Sequence, residues 1–487
     1  MDTDVIIVGA GPAGSTAARL CASAGLDTVI VDRATFPREK PCGGLLSARA
    51  AAGVARIFGL GAEPDPPLGA ARSGLATHFH RIGRDARWRD YRYLAAEAGR
   101  PLGYVTRRTV LDARLLDLAA KTGARLFCGT EVVAWGQDEE GVWVSVREAV
   151  GSPASPRPVL LRTLRARYLV GADGAASVVA RGFGVARNRP VTGPGLAQGG
   201  VAAGVRRPGF AAETLSLFAP LPSPEVEKLT AGNLAFHVGL LRGGFGWAFP
   251  AADGLALGVG AMARPARAGR PDLLEVLQRL LSFYSLNLAS SDLPAPRAWW
   301  VPLGGRRRPW EEGRVLLVGD AAGVADPATG EGLGPAIRSA EAAAGLIIRR
   351  VAGRVKAAPF GRQRLGERDK EALAAAVGLG AAAEAGGEGA AVGVGAVGSP
   401  GEYERLLWDR EVGLQRQRLL AARVLGGLSA AGQGRLFGRA ALGRLRNGMG
   451  PGATSPAGRA GTPYSSRVAT TTVAGEASVQ GEKRKSP

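Results

Sequence analysis

Residues Asp4 to Asp32, DVIIVGAGPAGSTAARLCASAGLDTVIVD, set the strongest limit on what this chain can fold into. Val5-Ile6-Ile7-Val8 is an apolar run of strand length. Gly9-Ala10-Gly11-Pro12-Ala13-Gly14 follows at once with G-x-G-x-x-G spacing, and the Ala-rich run from Ser15 to Ala24 reads as a helix. Thr28 to Val31 is a second strand, with Asp32 at its carboxyl end. In such a βαβ unit Gly9 permits the tight turn, Gly11 lets a pyrophosphate approach the backbone, and Gly14 lets the helix pack on the strand. The helix N-terminus offers unpaired N–H groups to phosphate. Asp32 stands about 20 residues beyond the glycines, where an acid can hold a ribose hydroxyl. Glycine is common in this chain, 73 of 487 residues, so the spacing alone carries little. The register of strand, glycines, helix, strand and acid is what indicates a dinucleotide site.

A chain of 487 residues has room for two or three domains around a large core. The net charge of +20 comes from 62 Lys+Arg against 42 Asp+Glu. No basic block alternates with aromatics as single-strand binding requires, so nucleic acid is not an expected partner. The charge does suit anionic lipid surfaces or phosphorylated ligands. Cys21, Cys42 and Cys128 are scattered, which argues against a disulfide framework or a zinc site. His78, His80 and His237 leave little for a histidine-based metal site, so no metal is expected. The first strand begins almost at residue 1, so no signal or transit peptide is expected. No apolar run reaches the roughly 20 residues of a membrane helix. The stretch 378–399 comes nearest, but Glu384, Glu388 and many glycines interrupt it. A cytoplasmic protein, able to touch a membrane peripherally, is the expectation.

Beyond Asp32, Phe36-Pro37-Arg38-Glu39-Lys40-Pro41-Cys42-Gly43-Gly44 reads as a loop over the carboxyl ends of the sheet. Residues 76–104 look like irregular strands on the substrate side. The helix LDARLLDLAAKTGARLF, Leu111 to Phe127, follows, with Arg108 just before it and Asp112 at its start. Glu131–Trp135 and Val142–Arg147 form an expected hairpin, and Tyr168 to Asp173 a strand and turn before a helix carrying Ser177 and Arg181. These pieces make residues 1–184 the first part of a dinucleotide domain. Residues 185–300 have short alternating segments and many Pro and Gly, and read as an inserted antiparallel sheet domain with one helix near 272–284. In Gly243-Gly244-Phe245-Gly246-Trp247-Ala248-Phe249-Pro250, alternation puts Phe245, Trp247 and Phe249 on one face. That face either packs on a core or lines a ligand. Residues 301–354 return to the first domain: Arg314 to Asp320 is a buried strand ending in an acid, and a Gly-rich loop to Gly334 precedes a helix. The stretch 355–400 is a low-complexity insertion, 401–447 a helical region, and 448–487 a tail without periodicity that reads as disordered.

GAGPAG, PREKPCGG, GADG and GDAAGVADPATGEG stand here in one order, and together they resemble FAD-dependent oxidoreductases of the p-hydroxybenzoate-hydroxylase-like fold. PREKPCGG, and GGFGWAFP with Phe245 where a Tyr is usual, bring the resemblance closer to the geranylgeranyl reductase family. It covers residues 1–350 well and 402–425 weakly. It implies an α/β fold: a Rossmann-like FAD-binding domain, an inserted antiparallel β-sheet substrate domain and a C-terminal helical region. By position, Gly9, Gly11, Ala13 and Gly14 would line the FAD pyrophosphate, Asp32 and Arg33 the adenosine ribose, and Arg108 and Val132 the same cofactor. Cys42 and Gly43 would face the flavin ring. Asp320 would bind the ribityl region, and Gly332 and Leu333 would bring N–H groups to the pyrimidine, where negative charge develops on reduction. The implied activity is reduction of carbon–carbon double bonds in a geranylgeranyl-type prenyl chain, with Phe245, Trp247 and Phe249 against the substrate and Cys42 as candidate proton donor. NADPH or another reductant would supply electrons. The alternatives are a monooxygenase or halogenase of the same fold, or an inactive flavin-binding protein. The helix Tyr403–Leu428, apolar on one face and carrying five Arg, suits either an anionic bilayer surface or a cap on the main domain.

Overall fold

The computed structural model describes residues 2–60, 68–80, 89–94, 101–148, 151–152, 155–156, 160–183, 211–241, 243–262, 272–288, 293–304, 310–355 and 403. The expectations for 356–400, for the helix beyond Tyr403 and for the tail lie outside these residues.

The first sheet has eight strands. Its path runs Glu311–Glu312, Val315–Leu317, Leu160–Gly171, Thr3–Val8, Thr28–Asp32, Arg125–Cys128. The four strands from Leu160 to Cys128 and the strand Val315–Leu317 are mutually parallel. Thr3–Val8 lies central, with Val5, Ile6 and Ile7 fully buried. Val5–Val8, Val29–Val31 and Val315–Leu317 are buried on both faces, which is why these runs are apolar without interruption. The expected hairpin forms from Thr130–Gln137 and Val142–Glu148, and joins the sheet through Leu160–Gly171. Helices Pro12–Ser23, Arg108–Ala120 and Leu333–Val355 pack together on this unit. The second of these starts three residues before the Leu111 that the sequence suggests and ends at Ala120 rather than Phe127, because 125–128 joins the first sheet as a strand. Arg108 is its first residue rather than the residue before it, so Asp112 sits one turn on, facing Arg108.

The second sheet has seven strands, ordered Arg297–Pro302, Ala211–Pro220, Gly254–Met262, Gly244–Pro250, Asn233–Val238, Gly74–Phe79, Arg89–Leu94. It differs from the expected inserted antiparallel sheet in one pairing. Asn233–Val238 runs parallel to Gly74–Phe79, because two strands come from the first part of the chain and enter beside the insertion. Helix Leu273–Phe283, capped by the Asp272 carboxylate accepting from the Leu274 and Glu275 amides, covers one face of this sheet. Its Leu277, Leu280 and Leu281 pack with Leu217, Leu255, Leu257 and Val259. The other face carries Leu75, Leu234, Phe236, Trp247, Phe249 and Ala256.

All three histidines meet on the helix-covered side. His237 is fully buried, with Nδ1 2.9 Å from His80 Nε2 and Nε2 2.8 Å from the Tyr284 hydroxyl. His78 stacks on it at 4.6 Å. Burial, then the proximity of His78 and His80, holds the His237 imidazole well below its ordinary pKa. Among the described residues no His, Cys, Asp and Glu cluster can hold a metal ion, and no helix is long and apolar enough to cross a membrane. Tyr403 is buried against the first sheet, its hydroxyl donating to the Leu317 carbonyl at 2.7 Å and its amide to Glu311 at 3.2 Å.

Candidate cofactor and substrate site

The glycines of the first turn divide their work by geometry. Gly9 has φ +102°, and a Cβ there would stand 2.4 Å from the Ala172 carbonyl oxygen. A Cβ on Gly14 would fall 1.8 Å from the Gly9 oxygen, so this glycine fastens the helix to the turn and does not itself line the cleft. Gly11 is different: its Cβ position is open, and among the described residues the only near atom is Arg38 Nη2 at 3.5 Å. Beside this cradle the Asp32 carboxylate is fixed by the Ala10 and Ala34 amides, at 2.7 and 2.8 Å.

The cleft continues into a cavity of about 1100 Å³ that reaches the second sheet. Drug-sized ligands occupy pockets of about 300–1000 Å³, so an extended cofactor and part of a second molecule have room here. Gly9, Gly11, Ala13, Asp32, Arg33, Cys42, Gly43, Arg108, Val132, Asp320, Gly332 and Leu333 all line it, with Phe245, Trp247 and Phe249 at its far side. Of the residues singled out from sequence, Gly14 alone stands behind the wall. The Gly-rich loop before the long helix closes on Asp326, whose carboxylate accepts from Ala328 and Thr329 at 2.9 and 3.0 Å. That turn sets Gly332 next to the Asp320 carboxylate, at 3.6 Å from a Cβ on Gly332. Asp173 of GADG is used structurally: it accepts from the Ser177 hydroxyl and the Val178 amide and so caps the short helix Val178–Arg181.

Sequence reasoning missed a charge network. Asp112 is fully buried and holds Arg108 through two bonds of 2.7 and 2.8 Å, with Arg38 at 3.3 Å on the same carboxylate. Burial works against the Arg108 charge, but the Asp112 carboxylate outweighs it and the pKa is raised; the Cys42 thiol is a further hydrogen-bond partner. Arg38 is thereby aimed across Gly11. Lys40 reaches the Asp320 carboxylate at 3.0 Å and stands 5.8 Å from the Trp299 ring centre. The signal for both was present in PREKPCGG, whose three charges have no use in a plain turn. For Asp112 the signal was its spacing of four from Arg108 in Arg108-Thr109-Val110-Leu111-Asp112, which sets the two one helical turn apart.

This donor set fits a flavin dinucleotide. Gly11 leaves space where pyrophosphate needs it, Arg38 supplies a fixed cation beside that space, Asp32 offers acceptors to a ribose, and the amides of Gly332 and Leu333 open a helix toward the cleft. Beyond the Cys42-Gly43-Gly44 loop the lining becomes apolar. A Cβ on Gly43 would meet Trp247 Nε1 at 2.9 Å and the Phe249 ring at 3.1 Å, so the loop lies directly on the aromatic wall.

Residues 2–205 match the family model described as FAD binding domain. The chain is 32% identical over 354 residues to a menaquinone reductase of Mycolicibacterium smegmatis, covering 71% of this chain and 76% of that protein. It is 27% identical over 365 residues to a digeranylgeranylglycerophospholipid reductase of Methanocella arvoryzae, covering 74% and 81%. Among solved structures, a geranylgeranyl bacteriochlorophyll reductase-like protein of Thermoplasma acidophilum superposes with TM-score 0.62 at 20% identity, over 91% of this chain and 95% of that one. A myxobacterial chondrochloren halogenase superposes with TM-score 0.51 at 20% identity, over 76% and 78%, a likeness of fold.

Proposed function

The chain belongs to the geranylgeranyl reductase family of FAD-dependent oxidoreductases, and from that membership we propose that it saturates carbon–carbon double bonds in a prenyl chain. The observation that carries this reading is the continuity of the cavity: the dinucleotide cradle and the aromatic wall of Phe245, Trp247 and Phe249 line one space, with the Cys42–Gly44 loop between them. Bound FAD, once reduced, supplies the hydride. The protein residues do the rest. The aromatic wall takes the apolar chain and excludes water, the loop sets the chain's distance from the cofactor, and a proton must be held near the second alkene carbon. Cys42 is the candidate for that proton: its thiol faces the cavity within hydrogen-bonding reach of Arg108, and its sulfur accepts from the Gly44 amide at 3.4 Å.

The relatives named menaquinone reductases are more similar than those named for glycerophospholipids, which directs the first assay to a prenylated quinone. NADPH or another external reductant is the proposed electron source. Delivery of the substrate from a bilayer surface rests on the net charge of +20 and the Arg-rich sequence 403–428, and salt-sensitive co-sedimentation with anionic liposomes tests it. The decisive experiment is anaerobic incubation of the dithionite-reduced holoenzyme with menaquinone or geranylgeranyl lipid, followed by mass spectrometry. A gain of two hydrogens per event in the prenyl chain, read after the quinone ring has been reoxidised in air, supports the reading. Reducing equivalents consumed only with oxygen, and no saturated product, would move the protein to the monooxygenase alternative.

A further inference from the structure

Trp247 does not stand up into the cavity. Cross-strand pairing sets Trp247 opposite Gly258, and Gly258 opposite Ser216. A Cβ on Gly258 would fall 2.2 Å from Trp247 Cζ2, 2.6 Å from Cε2 and 2.8 Å from Ser216 Cβ. The six-membered ring therefore lies across the glycine, toward the strand Ala211–Pro220. One step along, Gly260 continues the clearance, with its Cβ position 3.6 Å from Trp247 Cζ3. Nε1, bonded to Cε2 on that same edge of the indole, lies against the loop at Gly43. Trp247 is 8% exposed, and its Nε1–H has no hydrogen-bond partner among the described residues. No hydrogen bond holds the ring down; the space left by Gly258 does.

We propose that Gly258 sets how deep a prenyl chain can enter the cavity, acting through Trp247; this rests on the reading of the cavity as a prenyl site. A methyl group at position 258 cannot share the place of the indole. The ring cannot slide toward the loop, where Gly43 already lies against Nε1, and it cannot sink through the sheet. It must turn off the strand into the cavity and occupy space the chain would use. Gly258 touches no substrate itself, since it lies beneath the indole and is absent from the cavity lining, so it is a positioning residue.

The test uses the FAD-loaded full chain, with farnesol and geranylgeraniol as probes, their binding read from the perturbed flavin spectrum. For Gly258→Ala we expect geranylgeraniol to bind about tenfold more weakly, the scale of one or two lost apolar groups in a pocket, while farnesol changes by less than about twofold. A crystal structure of that variant should show the indole raised from the strand. Trp247→Leu in the same chain should return geranylgeraniol binding to the level of Trp247→Leu alone. Unchanged affinities in Gly258→Ala, an indole still flat, or a double variant that fails to recover would overturn the proposal. Should Gly258→Ala not fold while Gly258→Ala/Trp247→Leu does, the coupling is supported; failure of both overturns it. A wild-type holoenzyme that binds neither alcohol overturns the prenyl reading instead, and the indole orientation then decides the role of Gly258 separately.

Discussion

Replacing Asp112 by alanine isolates the group on which the cationic side of the cofactor cleft depends. Asp112 has no exposed surface, and Arg108 is 7% exposed. The pair is bidentate at 2.7 and 2.8 Å, with Arg38 adding a third contact at 3.3 Å. Removing the carboxylate leaves a buried guanidinium with no counter-charge, and breaking a buried pair this way costs about 3–5 kcal/mol. At about 2–4 °C per kcal/mol for a large domain, the melting temperature should fall by roughly 6–20 °C. The measurement belongs on flavin-free protein, because bound ligand adds its own stabilisation. Asp112→Asn keeps the shape and one acceptor, and should lose less. Arg108→Met/Asp112→Leu removes both charges together and should recover most of the loss, since apolar replacements of buried pairs are often neutral or stabilising. A second readout is FAD affinity: without Asp112 neither Arg38 nor Arg108 is aimed, and binding should weaken by about tenfold or more, about 1.4 kcal/mol. If Asp112→Ala melts within about 2 °C of the wild type, or the double variant is no better than the single, the pair does not organise the site.

Gly11→Val and Gly14→Val should fail differently: the first has open space at its Cβ and should give folded, colourless protein, whereas the second collides with the Gly9 oxygen at 1.8 Å and should not accumulate as soluble protein; absorbance at the flavin band and far-ultraviolet circular dichroism separate the two. The His237 imidazole is held well below the 6.5 of the unfolded chain, so the unfolded state binds a proton that the native state refuses. Stability is therefore full above pH 6.5 and lost as pH falls toward the native pKa, by about 1.4 kcal/mol per pH unit; denaturant titrations between pH 7 and 5 should show that slope, and His237→Asn should flatten it. Cys42→Ala should keep its flavin and lose about 10²–10⁴-fold in alkene reduction, the usual worth of a placed acid; unchanged turnover would assign the proton to another group.

The first βαβ unit was legible because its physics is local. Strand, turn, helix and acid follow one another, and each glycine serves neighbours within a few residues. The same holds for Arg314 to Leu333, another strand and helix start, except that the strand stops at Leu317 and Asp320 stands in the short helix Gly319–Ala322 rather than at the strand's end. The aromatic face of Phe245, Trp247 and Phe249 was legible from alternation alone. What sequence hid depends on distant partners. Gly258 reads as one more glycine in a glycine-rich chain until the Trp247 ring is seen on it. The Arg38–Asp112–Arg108 network joins a loop to a helix that begins 70 residues later in the chain, and no periodicity announces that link. The parallel strand Gly74–Phe79 was obscured for the same reason: nothing in its six residues tells which edge of the second sheet it will join.

The strand Val315–Leu317 joins Leu169–Gly171 on the first sheet, so a sheet begun at Thr3 is finished only after every strand of the second sheet has been made. At about 5–20 residues per second, residue 317 leaves the ribosome roughly 16–63 s after the first residue. From residue 171 to residue 315, a little under half of that interval, the growing chain carries an apolar strand edge at 169–171 whose partner does not yet exist. Unpaired edges of this kind recruit other chains. The demand on chaperones thus falls in the window of translation before residue 315, and codons that slow that window would lower the soluble yield without altering one contact of the finished molecule.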